Sequence, residues 1–369
     1  MPIKYLRRAY TGFATRVYDV PPRMLAFLIF IILSLVPFAG FDSGKLNIST
    51  ILYEANVMAI LAISWDLLVG RTGQISLGHA LFFGAGAYGV AILFKYFGWP
   101  SLITIPISLV MSVGIALIVG LPCLRIKGPY LALVSMSVPL AIVGFLSLFR
   151  DVFGGDVGIP SIIARPGEYS SSGFKIFPTS LVGFSNLPIA QYYLSLSLMA
   201  VSAIIIYKIA SSKTGVVFVS ILDDELASKA SGINVTKYKL MAFAISGLFG
   251  SLAGCIFVYS QKGAKPVLFD FLPYSILPLI VTILGGMGTI YGPLVGTYIY
   301  YALDRYVFTE LIPLGGIISL LIFMLIVVIF VIKWPRGIGR AIVEKLADLE
   351  EPREIEEIEK KAKKEGSGV

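Results

Sequence analysis

No charged residue stands between Lys95 and Arg125. A helix of that composition has no charged face to offer water. It is also long enough to cross a bilayer core about 30 Å thick, which takes roughly 20 mostly apolar helical residues. Windows of the same kind recur at residues 24–41, 51–70, 75–97, 102–124, 130–149, 192–210, 240–260, 271–284, 291–307 and 314–332. They are apolar all round rather than along one stripe, unlike the surface helices of a soluble domain. Their continuity, without strand-like alternation, points to helices and not to barrel strands. Composition agrees: 57% of the 369 residues are hydrophobic and only 14% are charged, against roughly 45–50% and about 25% in soluble domains. The expected fold is all-α, a polytopic integral membrane bundle of about 8–10 transmembrane helices. Windows 271–284 and 291–307 are short and separated by Gly285, Gly286 and Gly288, so broken half-helices fit there as well.

Lys and Arg are retained on the cytoplasmic side of membrane proteins. Ten crossings put both ends on one side, and with the amino end inside, most of the 30 basic residues fall on inner segments. That bias accounts for the +8 net charge through the membrane surface, without nucleic acid. The division that follows is a basic cytoplasmic segment 1–23, a transmembrane domain 24–333 and a charged cytoplasmic tail 334–369. Within the domain, residues 150–191 form an external loop rich in Gly and Pro, either an ordered lid or a flexible connection. Residues 211–239 form a cytoplasmic loop, and 344–364 a solvated charged helix. The first apolar run follows basic residues but precedes no A-x-A-like cleavage site, so it is expected to be a retained helix. Cys123 and Cys255 lie in membrane windows and are expected to be free thiols. With His79 the only histidine, no metal site and no cofactor is expected.

The chain has no G-x-x-x-x-G-K-[ST] with which to hold ATP, and no H-E-x-x-H or G-x-S-x-G. It is therefore expected to transport rather than to catalyse. An ion-coupled carrier, the alternative of a different class, concentrates ionisable groups near the midplane. Here Asp66 and His79 are the main candidates, with Glu54 and Asp304 nearer the window ends.

Three glycine-rich stretches stand out. The first is Gly70-Arg71-Thr72-Gly73-Gln74-Ile75-Ser76-Leu77-Gly78-His79-Ala80, continuing to Tyr88. Gly78, Phe82, Gly86 and Gly89 follow at helical spacing, a face that permits close helix packing. The second is Phe153-Gly154-Gly155-Asp156-Val157-Gly158-Ile159-Pro160, and the third runs from Gly285-Gly286-Met287-Gly288 to Gly296. Glycine runs at membrane depth are tolerated where unwound backbone is buried or lines a cavity. Asp66, Ser76, His79, Gly285, Gly286 and Gly288 are the candidates for a translocation pathway.

The first and third stretches, with Asp223-Asp224-Glu225-Leu226-Ala227-Ser228-Lys229-Ala230-Ser231-Gly232-Ile233-Asn234-Val235, together resemble permeases of branched-chain amino-acid ABC importers, the LivM-like kind. Arg125-Ile126-Lys127-Gly128-Pro129-Tyr130 and Pro335-Arg336-Gly337 also resemble that family, and the motifs occur in chain order over most of 51–335. The resemblance implies a complex in the cytoplasmic membrane of two permease subunits, two ATP-binding subunits and an external substrate-binding protein. It implies leucine, isoleucine and valine as cargo, with urea or short amides carried by related permeases. The segment around Gly232 resembles the cytoplasmic loop that docks such permeases on their ATPases, often Glu-Ala-Ala with Gly four places on. Here Glu225 stands one place early and Leu226 takes the acidic position.

The same segment reads as a short helix over 223–231. Asp223 is expected to cap its amino end, Asp224 and Glu225 to complement its dipole, and Gly232 to end it in a left-handed turn. Leu226, Ala227 and Ala230 would then share a small apolar face. The purified chain alone is expected to show no ATPase activity and no ion-driven substrate accumulation in vesicles; accumulation under a sodium or proton gradient with no ATPase present would make it a carrier.

Overall fold

The structure, a computed structural model, describes residues 48–159 except 124, 125 and 127, residues 187–305 except 262, residues 316–333, and residue 337. The basic segment 1–23, the window 24–41, most of the 150–191 loop and the charged tail lie outside the described residues.

Each apolar window from residue 51 onward is helical over most of its described residues. In chain order the helices are α1 (Ile48–Thr72), α2 (His79–Phe97), α3 (Ser101–Cys123), α4 (Pro129–Leu148), the single turn α5 (Arg150–Phe153), α6 (Leu187–Ala210), α7 (Lys213–Asp223), α8 (Glu225–Ala230), α9 (Val235–Gln261), α10 (Leu277–Gly285), α11 (Tyr291–Ala302) and α12 (Gly316–Lys333). Among the described residues, α1, α2, α3, α4, α6 and α9 are long and apolar enough to cross a membrane. The chain is thus a polytopic helical membrane protein. The window 75–97 starts late, because Gly73 turns left-handed (φ 69°) and 73–78 run as a non-helical lead into α2. Windows 271–284 and 291–307 are the short pieces the glycines suggested: a π turn at Leu272–Ile276, then α10, then α11 folded back beside it.

Burial identifies the centre. In α1, 83% of the most apolar window is buried within the chain, against 22% in α3 and in α4. With no hydrophobic drive between helices in lipid, close backbone packing must hold the bundle. Helices α2 and α9 supply it reciprocally. A Cβ on Gly86 of α2 would run into the Ser251 carbonyl of α9, and a Cβ on Gly254 of α9 would run into the Phe83 carbonyl of α2. Between these points the Phe82 side chain would stand only about 3.2 Å from a Cβ added at Gly247 or Gly250, a tight contact. Gly89 makes the same kind of approach to Ser108 of α3, and Gly78 to the Ser135 backbone of α4. The glycine face read from α2 is therefore a packing face. Its partners on α9, Gly247, Gly250, Ser251 and Gly254, are small residues at the same three-and-four spacing.

Both cysteines are buried free thiols. The start of the 150–191 loop is ordered: three left-handed glycines, Gly154, Gly155 and Gly158, fold it back so that Ile159 pairs through two backbone hydrogen bonds with Ala264.

Gly254→Ala should force α2 and α9 apart and lower stability by about 1–3 kcal/mol. Gly114→Ala, in α3 with nothing within 4 Å of the added Cβ, should leave stability unchanged or raise it by up to about 1 kcal/mol through helix propensity. Thermal unfolding of the two variants in detergent checks the contrast.

Candidate functional site

Three clusters of polar or unwound residues are arranged along the axis of α1. At its carboxyl end, Asp66 is fully buried and its Oδ1 accepts the backbone N–H of Gly288 at 2.7 Å. Arg71, further along the same helix, is buried as well. Asp66 thus pins the glycine turn between α10 and α11. The turn exists because Gly286 (φ 122°) and Gly288 (φ 81°) adopt backbone that side chains resist. Crowding also excludes a side chain at Gly285, which faces the Gly292 carbonyl, and at Gly70, which faces both Asp66 and Gly288. Gly337, from the terminal Pro-Arg-Gly motif, sits directly against Gly286.

Ser76 and His79 are also fully buried, but packed between helices. Ser246 of α9 donates its single hydroxyl proton to the Ser64 carbonyl at 2.7 Å, so at 2.7 Å from His79 Nε2 it can only accept. His79 is then the Nε2–H tautomer, tying α2 through α9 to α1, with its ring edge-on to Phe82. Ser76 presents its carbonyl to Trp65 Nε1 and its hydroxyl to the Gly78 N–H. Orphan donors in the lead into α2 and in its first turn are met from other helices: Leu77 N–H by Ser135 Oγ and Ala80 N–H by Ser275 Oγ. Nearer the middle of α1, Asn56 donates to Ser195 of α6 and accepts from Tyr298 of α11.

The loop between α6 and α9 forms the second cluster, and it corrects one expectation. Asp223 ends α7, and Asp224 is the cap of α8, its Oδ1 accepting Leu226 N–H at 2.8 Å and Ala227 N–H at 3.0 Å. The cap falls one residue later because Asp224, at φ −155° and ψ 109°, has the extended backbone a cap requires. Gly232 ends α8 in the left-handed conformation (φ 82°), its N–H bonded to the Lys229 carbonyl. Leu226, Ala227 and Ala230 lie on this short helix, and all three are exposed. Leu226 is 71% accessible, so α8 presents a bare apolar face.

Glu225 bridges two lysines, accepting from Lys229 within α8 and from Lys239 of α9, both at 2.8 Å. Those two hydrogen bonds pull its carboxyl down from 4.5 to about 2. Beneath α8, α7 buries Phe218 and Ile221 against the bundle, and Leu222 reaches the Gly73 bend at the end of α1.

At the opposite end of α1 lies a third cluster that the motifs did not reveal as a site. Glu54 and Arg305 pair at 2.9 Å, with Asp304 beside them 3.7 Å from Arg305 Nε. They stand on a cavity of about 260 Å³ whose apolar wall includes Met58, Phe83 and Leu277. Glu54 and Asp304 were visible as charges at window ends. Their convergence required α11 to fold back on α1.

A family model described as "Branched-chain amino acid transport system / permease component" matches residues 47–331. The chain belongs to this family. Among curated proteins, the high-affinity branched-chain amino acid transport permease LivM of Salmonella typhimurium is 30% identical over 67% of this chain and 59% of its own length. The probable branched-chain amino acid transport permease LivH of Methanocaldococcus jannaschii is 22% identical over 75% of this chain and 88% of its own. The ribose import permease RbsC of Haemophilus influenzae is 24% identical over 69% and 74%. The match thus spans less than two thirds of LivM itself. No solved structure matches the chain. The family's span takes in all three clusters and stops short of Gly337.

Because Glu225 is depressed, the stabilisation it contributes is fully present above pH 4.5 and is lost as pH falls toward 2. Across the neutral range α8 stays tethered. Glu225→Gln removes both ion pairs and should speed amide exchange over residues 226–231 about fivefold at pH 7, the effect of two partly exposed pairs. Exchange in α1 and α2, followed by mass spectrometry, should not change.

Proposed function

We propose that this chain is the permease subunit of an ATP-driven importer of the cytoplasmic membrane that carries leucine, isoleucine and valine inward. The family match over residues 47–331 carries the proposal, and the likeness to LivM and LivH supports the cargo. Its partners would be a second permease subunit, two ATP-binding subunits and an external substrate-binding protein. Both termini would be cytoplasmic, so that α1 runs from an external Glu54 to a cytoplasmic Arg71.

In this scheme Asp223, Glu225, Leu226, Ala227, Ala230 and Gly232 form the coupling element. Leu226, Ala227 and Ala230 enter a groove on the ATP-binding subunit, the mode in which an amphipathic helix lays its apolar face on a partner. Motion of α8 has two routes into the membrane. One is the Glu225–Lys239 pair to α9, and the other is α7, whose Leu222 bears on the Gly73 bend. Asp66 with Gly285, Gly286 and Gly288 forms the inner end of the pathway, where unwound backbone can open without breaking a helix. Ser76 and His79 border it by fixing α2 and α9 to α1.

Reconstituted with its partners, the chain should accumulate leucine only with ATP. Ala227→Trp and Gly232→Val should each lower association of the ATP-binding subunit and leucine uptake at least tenfold, with thermal stability of the permease unchanged. Parent-rate transport by both variants would remove α8 as the coupling element. Uptake of ribose in place of leucine would transfer the cargo to the sugars named for RbsC.

A further inference from the structure

The cavity at the Glu54 end of α1 is built from parts of α1, α2, α9, the π turn, α10 and α11. Its chemistry is unusual for a membrane bundle. A carboxylate, a guanidinium and a second carboxylate, Glu54, Arg305 and Asp304, stand together at one side. Met58, Phe83 and Leu277, each less than a tenth exposed, face the same space. Small-molecule sites pair apolar side chains with convergent polar groups in this way, and Gln261, Tyr274, Tyr300 and Tyr301 also line this one. At roughly 30 Å³ of liquid volume per water, the cavity of about 260 Å³ has room for about nine non-hydrogen atoms, the size of leucine or isoleucine.

Charged groups at the end of a membrane helix are kept where they pair or serve a ligand. The resident pair is incompletely used, since the buried Nε of Arg305 makes no hydrogen bond among the described residues. We propose that this cavity is a substrate seat within the permease itself, which receives an α-amino acid as its zwitterion. The ligand carboxylate takes the guanidinium of Arg305, whose fork suits bidentate binding of a carboxylate. The ligand ammonium takes Glu54 and Asp304, and the aliphatic side chain lies on Met58, Phe83 and Leu277. No net charge enters the cavity. The two charges of the ligand take over from the internal Glu54–Arg305 and Asp304–Arg305 contacts, so binding stays weak enough for onward release. A sugar offers no charges to make that exchange and would leave the Glu54–Arg305 pair closed.

The inference rests on the importer reading for its cargo and for the external placement of Glu54, but it adds selection by the permease to selection by a binding protein. Two measurements separate them. Leucine uptake by the complete reconstituted complex tests the importer reading. Binding of radiolabelled leucine to the full-length permease in nanodiscs, without the binding protein, tests the seat. Leucine should bind saturably and be displaced by isoleucine. Isoamylamine, which lacks the carboxylate, and 4-methylpentanoate, which lacks the ammonium, should not displace it.

Arg305→Gln and Glu54→Gln should each weaken leucine binding about tenfold or more, the loss of a charged hydrogen-bond partner. They should raise the KM of transport more than they lower its maximal rate. Met58→Phe, which narrows the cavity without touching the ion pair, should weaken leucine binding relative to valine, and decides the matter if the charge variants fail to accumulate. ATP-driven leucine uptake that keeps its parent KM in Arg305→Gln, Glu54→Gln and Met58→Phe would overturn the seat and leave the importer reading intact. Absence of any ATP-driven leucine uptake by the parent complex, with leucine still bound at this cavity, would overturn the importer reading alone.

Discussion

Contact between the backbones of α2 and α9 is the constraint on which the other features depend. In lipid, apolar side chains gain nothing by leaving solvent for a neighbouring helix, so association rests on dispersion and on polar contacts made at short range. Gly86 against the Ser251 carbonyl, and Gly254 against the Phe83 carbonyl, bring the two axes close enough for such contacts. At that distance His79 reaches Ser246, and Ser246 reaches the Ser64 carbonyl of α1. Bulk at either glycine would open the gap and leave a histidine and a serine buried without partners. Helix α1, enclosed by this pair and by α6, α10 and α11, is thereby held as a central rod.

Fixing α1 makes its two ends informative. Glu54 and Asp66 lie twelve positions apart, about 18 Å of helix at 1.5 Å per residue. One end meets the Glu54–Arg305 cavity. The other meets the glycine turn through Asp66, the bend at Gly73 through Leu222, and Gly337 through the turn itself. The rod thus joins the cavity at one end to the glycine turn and the α7–α8 loop at the other. The stretch of α1 between those ends carries no ionisable side chain. Its polar groups there, Asn56 and Ser64, are committed to neighbouring side chains or to the backbone. That arrangement suits an externally driven conformational change better than a chain of titrating groups.

The segment 223–232 shows how one residue's shift in register changes a role. A carboxylate at Glu225, with Leu226 after it, has no obvious purpose when only the linear pattern is considered. In three dimensions Glu225 lies between Lys229 and Lys239, where it braces α8 against the start of α9. Capping passes to Asp224, which is exposed and has the extended backbone that capping needs. The apolar face that begins at Leu226 is left bare as a result.

Much was legible in the sequence because bilayer-spanning length and uniform apolarity are local properties. The helices from Ile48–Thr72 to Gly316–Lys333, the break around Gly285, Gly286 and Gly288, and the left-handed end of α8 at Gly232 all follow from residues near in the chain. The small-residue stripe of α9, from Gly247 to Gly254, was equally present, and it would have named the partner of the α2 glycines. Other features depended on residues far apart: Asp66 finding Gly288, Glu225 finding Lys239, and Arg305 folding back to Glu54. Each joins segments whose separation in sequence carries no signal of their meeting. Local apolarity therefore determined that the chain spans a membrane and where its helices run, while only the packing of α2, α9, α10 and α11 around α1 decided which buried polar groups share a site, because hydrogen bonds and ion pairs form only at contact distance.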